Sequence, residues 1–222
     1  MAKHKLKQVG LIGLGNFGGS LCQEFAELGT EVLAMDRDAD RVDDYASIAT
    51  HCFVGDSTDE MTLREIGVRN LDLVIVSLGD DIQSSVLTTL VLKEIGVEKV
   101  WVKAQSKYHR LVLEKIGADR IIHPEKDIAR RIAHRVTSDK LLDHIELSKD
   151  FSIVELVATS KVDGKSLLEL DVRAKYGCTI IGIMKGEDIQ VSPAAEEVIE
   201  KNDVLIMIGN NKDLNRFEEK GL

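Results

Sequence analysis

No apolar run in these 222 residues approaches the ~20 that a membrane-spanning helix requires. The charged start, Met1-Ala2-Lys3-His4-Lys5-Leu6-Lys7, leads into an apolar stretch too short for a signal peptide, so neither insertion nor export is expected. A basic excess is also missing. Residues 1–145 hold 19 Lys and Arg against 23 Asp and Glu, and the rest hold 10 against 15, giving a formal charge of -9. Neither part has the positive field that sequence-independent binding to nucleic acid, or direct contact with anionic lipid, requires. Cys22, Cys52 and Cys178 form no CxxC and no even framework, a usage that fits a reducing cytoplasm. Repeats and low-complexity tracts are absent too. What is present is 44% hydrophobic residues, enough to bury roughly 70% of the unfolded surface and to exclude a disordered chain.

Apolar runs of four to six residues alternate with longer amphipathic stretches, the periodicity of βαβ units. Strands are expected at Gln8–Ile12, Glu31–Met35, Cys52–Val54, Leu73–Val76, Val100–Val102 and Arg120–Ile122. Helices fill the gaps at Phe17–Leu28, Arg41–Ala46, Glu60–Ile66, Ile82–Ile95 and Tyr108–Ile116, and Gly29, Gly67, Gly96 and Gly117 follow four of them as left-handed caps do. Six such strands make an α/β domain with a Rossmann-like, doubly wound parallel sheet. After His123-Pro124-Glu125, a helix is expected to about Leu142, with Ile128, Ile132 and Val136 in one stripe. That stripe either packs on its own sheet or crosses to a second subunit.

The polar stretch Glu146–Asp150 marks a boundary, so the expected domains are residues 1–145 and 146–222. The second reads as a small α+β domain. It has strands at Phe151–Thr159, Cys178–Met184, Ile189–Val191 and Val204–Ile208, a short helix at Lys165–Leu170, and a closing helix from Lys212. A domain this small is expected to need a partner surface.

Gly13-Leu14-Gly15-Asn16-Phe17-Gly18 follows one expected strand and opens a helix, the context a dinucleotide fingerprint requires. Gly13 permits the tight turn, Gly15 lets a pyrophosphate approach the backbone, and Gly18 lets the helix pack on the strand. Unpaired amides at the helix start then face the anion. Asp36 ends the second strand 18 residues beyond Gly18, where a carboxylate accepts both ribose hydroxyls of an adenosine and repels a 2′-phosphate. Arg37 beside it softens that exclusion only slightly. Asp56, in Val54-Gly55-Asp56-Ser57-Thr58, either borders the adenine edge or caps a helix.

The fingerprint supplies no reaction. Tyr45, Tyr108 and Tyr176 are followed four residues on by Ala49, Val112 and Ile180, so the Tyr–Lys pair of a short-chain dehydrogenase is absent. His4, His51, His109, His123, His134 and His144 all precede the second domain, leaving that domain no His–acid pair, and their spacing suits no zinc site. No catalytic residue is assigned. Glu125 either approaches the phosphates and a divalent cation there, or is the N-terminal acid of a helix starting at Pro124. In the second domain, Arg173 with apolar Val172, Ala174 and Ile181 either holds a phosphate beside a flat base or belongs to a solvated turn.

The fingerprint extended through Gly19-Ser20, with Leu87-Thr88-Thr89-Leu90, Trp101-Val102-Lys103-Ala104-Gln105, the segment from Gly117-Ala118-Asp119-Arg120 to Glu125, and Arg173-Ala174-Lys175-Tyr176-Gly177, resembles the RCK/KTN regulators of potassium transport. The resemblance spans essentially the whole chain and is strongest to the Ktr-type cytosolic subunits. It implies a non-enzymatic regulator that binds ATP or ADP, and also NAD(H), in the fingerprint cleft. It further implies a homodimer assembling into a homo-octameric ring beneath a KtrB/KtrD-like membrane potassium-translocating subunit, and hence a cytoplasmic protein held peripherally at the membrane. The cleft residues it implies are Gly13, Gly15, Asn16, Phe17, Gly18, Asp36, Arg37, Asp56, Ser57 and Lys103, with Glu125 near the phosphates and a Mg2+ or Ca2+ ion. Cyclic di-AMP is implied at Asp171, Val172, Arg173, Ala174, Ile181 and Pro193, across a dimer interface. One position departs from the family: similar subunits carry Arg where this chain has Asn16, so a cation facing the terminal phosphate is missing. The competing readings are an NAD(H)-dependent oxidoreductase, which needs a proton donor that is not seen, and a redox sensor, which as a transcription factor needs a basic DNA-reading helix.

Overall fold

The structure, a computed structural model, describes residues 6–79, 81–137 and 140–222, with the backbone alone at residues 134, 135 and 137. It divides into two compact units, Met1–Pro124 and Glu125–Leu222.

In the first unit, strands β1 (Gln8–Ile12), β2 (Glu31–Asp36), β3 (His51–Val54), β4 (Leu73–Val76), β5 (Val100–Lys103) and β6 (Arg120–Ile122) form one sheet in the order β3-β2-β1-β4-β5-β6. Every pairing is parallel. Both faces are covered, which is why these strands read as unbroken apolar runs. Successive side chains point to opposite faces. Val9, Leu11, Leu73 and Ile75 enter the core that also holds Cys22 and Val42, from helices α1 (Asn16–Glu27) and α2 (Ala39–Tyr45). Ile12, Val74 and Val76 enter the opposite core with Leu63, Leu92 and Leu113, from α3 (Glu60–Glu65), α4 (Ile82–Ile95) and α5 (Lys107–Ile116). Asp38, Asp59, Asp81 and Ser106 cap α2 to α5 through their side chains, each satisfying amides with no intrahelical partner. Strand order reverses on either side of β1, so the crevice at the carboxyl ends of β1 and β4 is the switch point where ligands of such sheets bind.

In the second unit, β7 (Leu141–Glu146), β8 (Phe151–Val157), β9 (Thr179–Lys185), β10 (Asp188–Val191) and β11 (Val204–Asn210) form an antiparallel sheet in the order β10-β9-β11-β8-β7. Helix α9 (Asn211–Lys220) covers it, burying Leu214 and Phe217 against Leu156, Ile183, Leu205 and Met207. The helices α7 (Leu167–Leu170) and α8 (Val172–Tyr176) are short.

Two elements differ from expectation. Helix α6 (Pro124–Thr137) does not run to Leu142: residues 138 and 139 lie outside the described ones, and Leu141 already begins β7, which pairs with β8. The segment around Arg173 is the helix α8 rather than a turn. Ile128, Ile132 and Val136 are 51%, 57% and 76% exposed, so the α6 stripe is not packed on the sheet of its own unit. Among the described residues, no helix is long and apolar enough to cross a membrane.

Candidate functional site

The glycine turn connects β1 to α1 through three residues, Gly13 to Gly15. Gly13 sits at φ +93°, and a side chain there would run into the Ser77 carbonyl at the end of β4. A Cβ on Gly18 would overlap the Gly13 carbonyl oxygen, so α1 packs against the turn only because Gly18 has none. Gly13 N–H donates to the Met35 carbonyl at 2.8 Å, tying the turn to β2. Gly15 is different: a Cβ there would meet nothing nearer than the Arg41 guanidinium at 3.9 Å, so its surroundings are open. As the N-cap of α1 it offers no side-chain acceptor, and the first turn has no acid. The amide end of α1 and its partial positive charge therefore face this opening.

Asp36, at the end of β2, is only 5% exposed. Its Oδ2 accepts from Leu14 N–H at 2.7 Å and its Oδ1 from Asp38 N–H at 3.0 Å. The carboxylate thus fastens the glycine turn and the entry to α2 in one place. Arg37 reaches across to Asp81, the cap of α4, at 3.3 Å. Arg41 was not singled out from the sequence: its Nη1 lies 3.7 Å from Asp36 Oδ2 and its Nε 3.6 Å from Asp38 Oδ2. Only the return of α2 over the turn brings it there. The one sequence signal was the i,i+3 spacing of Asp38 and Arg41.

Asp56 accepts from Thr58 N–H at 2.9 Å and Thr58 Oγ1 at 2.7 Å, holding a turn after β3. The cap of α3 is Asp59, which bonds Met61 and Thr62 N–H. Ser57 is buried and shares a 2.8 Å hydrogen bond with Thr88 of α4. Lys103, at the end of β5, holds its ammonium 5.7 Å from the centre of the Phe17 ring, joining two expected cleft residues. Asn16 is exposed at the start of α1. Nearby in sequence, His109 is 3% exposed; its Nδ1 accepts from Gln105 N–H at 3.4 Å, and its Nε2 has no partner among the described residues. Burial, then the neighbouring His123, pushes its pKa below the usual 6.5.

In the second unit, Asp171 joins α7 to α8 in the left-handed region at φ 45°. Val172 is buried in the core, whereas Arg173 and Ala174 are exposed. Ser192 N–H donates to the Ile181 carbonyl at 2.9 Å, which brings Pro193 beside Ile181. Leu168 N–H donates to the Ala195 carbonyl at 2.8 Å, so the start of α7 adjoins the segment after Pro193. Glu125 is exposed in the first turn of α6. Among the described residues, no three His, Cys, Asp or Glu are grouped to hold a metal ion.

The TrkA-N domain family matches residues 9–124 and the TrkA-C domain family residues 151–220. The Ktr system potassium uptake protein C of Bacillus subtilis (strain 168) is 54% identical over 216 residues, covering 97% of this chain and 98% of the relative. The Ktr system potassium uptake protein A of the same organism is 51% identical over 222 residues, the whole of both chains. Among solved structures, the GsuK channel bound to NAD aligns over 96% of this chain and 38% of its own, at 21% identity and a TM-score of 0.53, a likeness of fold. With both domains matched in order and this identity sustained end to end, the chain belongs to the RCK/KTN family, among the regulatory subunits of Ktr potassium uptake systems.

Proposed function

We propose that this chain is the nucleotide-gated subunit of a potassium channel or transporter, binding ATP or ADP, and also NAD(H), at the carboxyl ends of β1 and β4. The observation that carries the reading is the conjunction at one strand end: a glycine turn open at Gly15, the amide end of α1 facing that opening, and the buried Asp36 carboxylate beside it. The amides suit phosphates and Asp36 suits ribose hydroxyls. Arg37, Asp56, Ser57, Lys103 and Phe17 border the nucleotide, and Glu125 offers a carboxylate to a Mg2+ or Ca2+ ion carried by the phosphates. The first unit acts as the nucleotide domain, and the second, to whose sheet β7 belongs and which therefore begins before the expected boundary at residue 146, as a ligand-binding and dimerisation domain.

A nucleotide gates flux only if it binds one shape of the assembly more tightly than another. The chain acts without catalysis, as a homodimer that closes into a homo-octameric ring on a KtrB/KtrD-like membrane subunit, cytoplasmic and peripheral to the membrane. Two exposed apolar faces support assembly: the α6 stripe, and Ile82, Leu87 and Leu90 of α4 with Tyr108, Leu111 and Val112 of α5. A ring built from dimers needs two distinct interfaces on each subunit. In the second domain, Asp171, Arg173, Ala174, Ile181 and Pro193 take cyclic di-AMP, with Val172 holding α8 in place from the core.

Calorimetric titration of the full chain with ATP, ADP and cyclic di-AMP tests both sites together. Asp36→Asn is expected to weaken ATP and ADP by roughly 10- to 100-fold, the worth of hydrogen bonds to a charged group, and to leave cyclic di-AMP unchanged. Arg173→Ala is expected to do the reverse. If neither substitution separates the two ligands, the site assignments are wrong.

A further inference from the structure

Asn16 is uncharged, and a cation on a different element stands beside the fingerprint turn. The Arg41 guanidinium stands against the fingerprint turn, with Nη1 3.9 Å from where a Gly15 side chain would begin. Its contacts with Asp36 Oδ2 and Asp38 Oδ2, at 3.7 and 3.6 Å, are too long for hydrogen bonds. They are charge pairings, and they leave the N–H groups of the fork available to another acceptor. The side chain is about half exposed, at 53%, so a ligand entering from solvent can reach it. Asp36, by contrast, is already engaged by the Leu14 and Asp38 amides and does not depend on Arg41 for its place.

We infer that Arg41 is the phosphate-binding cation of this cleft. It forms a bidentate contact with the pyrophosphate of a nucleotide lying over Gly15 and supplies the positive charge that position 16 lacks. The ligand class follows from the placement: an anion over the open Gly15 backbone lies within contact of the guanidinium, whereas the ribose hydroxyls of a nucleoside without phosphates bring it no negative charge to pair with. A planar fork matches two phosphate oxygens at once, while a lysine offers only a point charge. On binding, the guanidinium exchanges its loose pairing with Asp36 for direct hydrogen bonds, which leaves the ribose as Asp36's remaining partner beside the two amides. This inference rests on the nucleotide reading of the cleft and assigns within it a residue that the glycine motif does not specify.

The test is titration of the full chain with ADP and with adenosine, for the parent, Arg41→Gln, Arg41→Lys and Asp36→Asn, together with unfolding midpoints of each without ligand. Arg41→Gln is expected to lose roughly 10- to 100-fold in ADP affinity, the range for a charge-assisted hydrogen bond. Its adenosine affinity and its ligand-free midpoint should match the parent, and Arg41→Lys should recover part of the ADP loss. Undiminished ADP binding by Arg41→Gln, alongside weakened binding by Asp36→Asn, overturns the role of Arg41 and leaves the cleft standing. Equal losses of ADP and adenosine also overturn it, because Arg41 would then act only by positioning Asp36. ADP affinity untouched by either substitution removes the cleft assignment and Arg41 with it.

Discussion

A carboxylate at 5% exposure is costly unless its oxygens are hydrogen-bonded, and at Asp36 the amides of Leu14 and Asp38 meet that need. The same two bonds preset the glycine turn, so the acid is in position before any ribose arrives. His109 poses the opposite problem. Its Nδ1 accepts a hydrogen bond, which leaves the proton of the neutral ring on the unpartnered Nε2, and burial with His123 depresses its pKa from 6.5. As pH falls through that value, the unfolded chain takes up a proton that the folded chain still refuses. The stabilisation is therefore complete above the unfolded pKa and is lost as pH falls toward the folded one. The melting temperature should drop on acidification from about pH 7 to about pH 5, by at most about 1.4 kcal/mol of stability per pH unit from this residue. His109→Gln should flatten that dependence; an unchanged slope would show that other groups cause it. Cys22 and Cys178, pushed up to about 11 mainly by burial, remain thiols at neutral pH.

Elements were legible where their cause is local. The inner strands β1, β2 and β4 are buried on both faces, so each is largely an apolar run, and the bounds of β1, β4 and β6 are the expected ones. Gly96 and Gly117, left-handed caps at φ 90° and 97°, mark helix ends in the sequence itself. The fingerprint was legible for the same reason, since its steric demands fall on Gly13 and Gly18, with Gly15 left open between them. Strand β7 was not: Leu141-Leu142-Asp143 breaks alternation and carries a register shift, and nothing local stops the helical stripe before it. Helix α8 was hidden because Asp171, not a glycine, takes the left-handed position that separates it from α7. Arg41 and the Lys103–Phe17 contact depend on tertiary return, to which a one-dimensional pattern is blind. The element-scale prediction concerns Gly18. An alanine there places a methyl carbon on the Gly13 carbonyl oxygen, backbone that cannot rotate aside. The Gly18→Ala chain should lose about 3 kcal/mol in denaturant unfolding and bind ADP weakly as the turn shifts. Parental stability would mean that α1 is not seated on the turn as described.

At the scale of the whole molecule, the acidic charge and the lack, among the described residues, of a helix long and apolar enough to cross a membrane are compatible with work at a membrane, provided the contact is with protein rather than lipid. The exposed stripe of Ile128, Ile132 and Val136, and the exposed apolar side chains of α4 and α5, are the kind of surface that contact with another protein covers. They offer two separate surfaces for a closed ring. In such a ring, a nucleotide in each cleft biases every subunit together, and a small preference per site is multiplied by the number of sites. Small-angle X-ray scattering of the assembled chain, saturated with ATP or with ADP, measures that bias directly. Two distinct profiles, with different radii of gyration for one and the same assembly mass, are the result expected of a nucleotide-gated ring. Superimposable profiles at full occupancy of both nucleotides would contradict it.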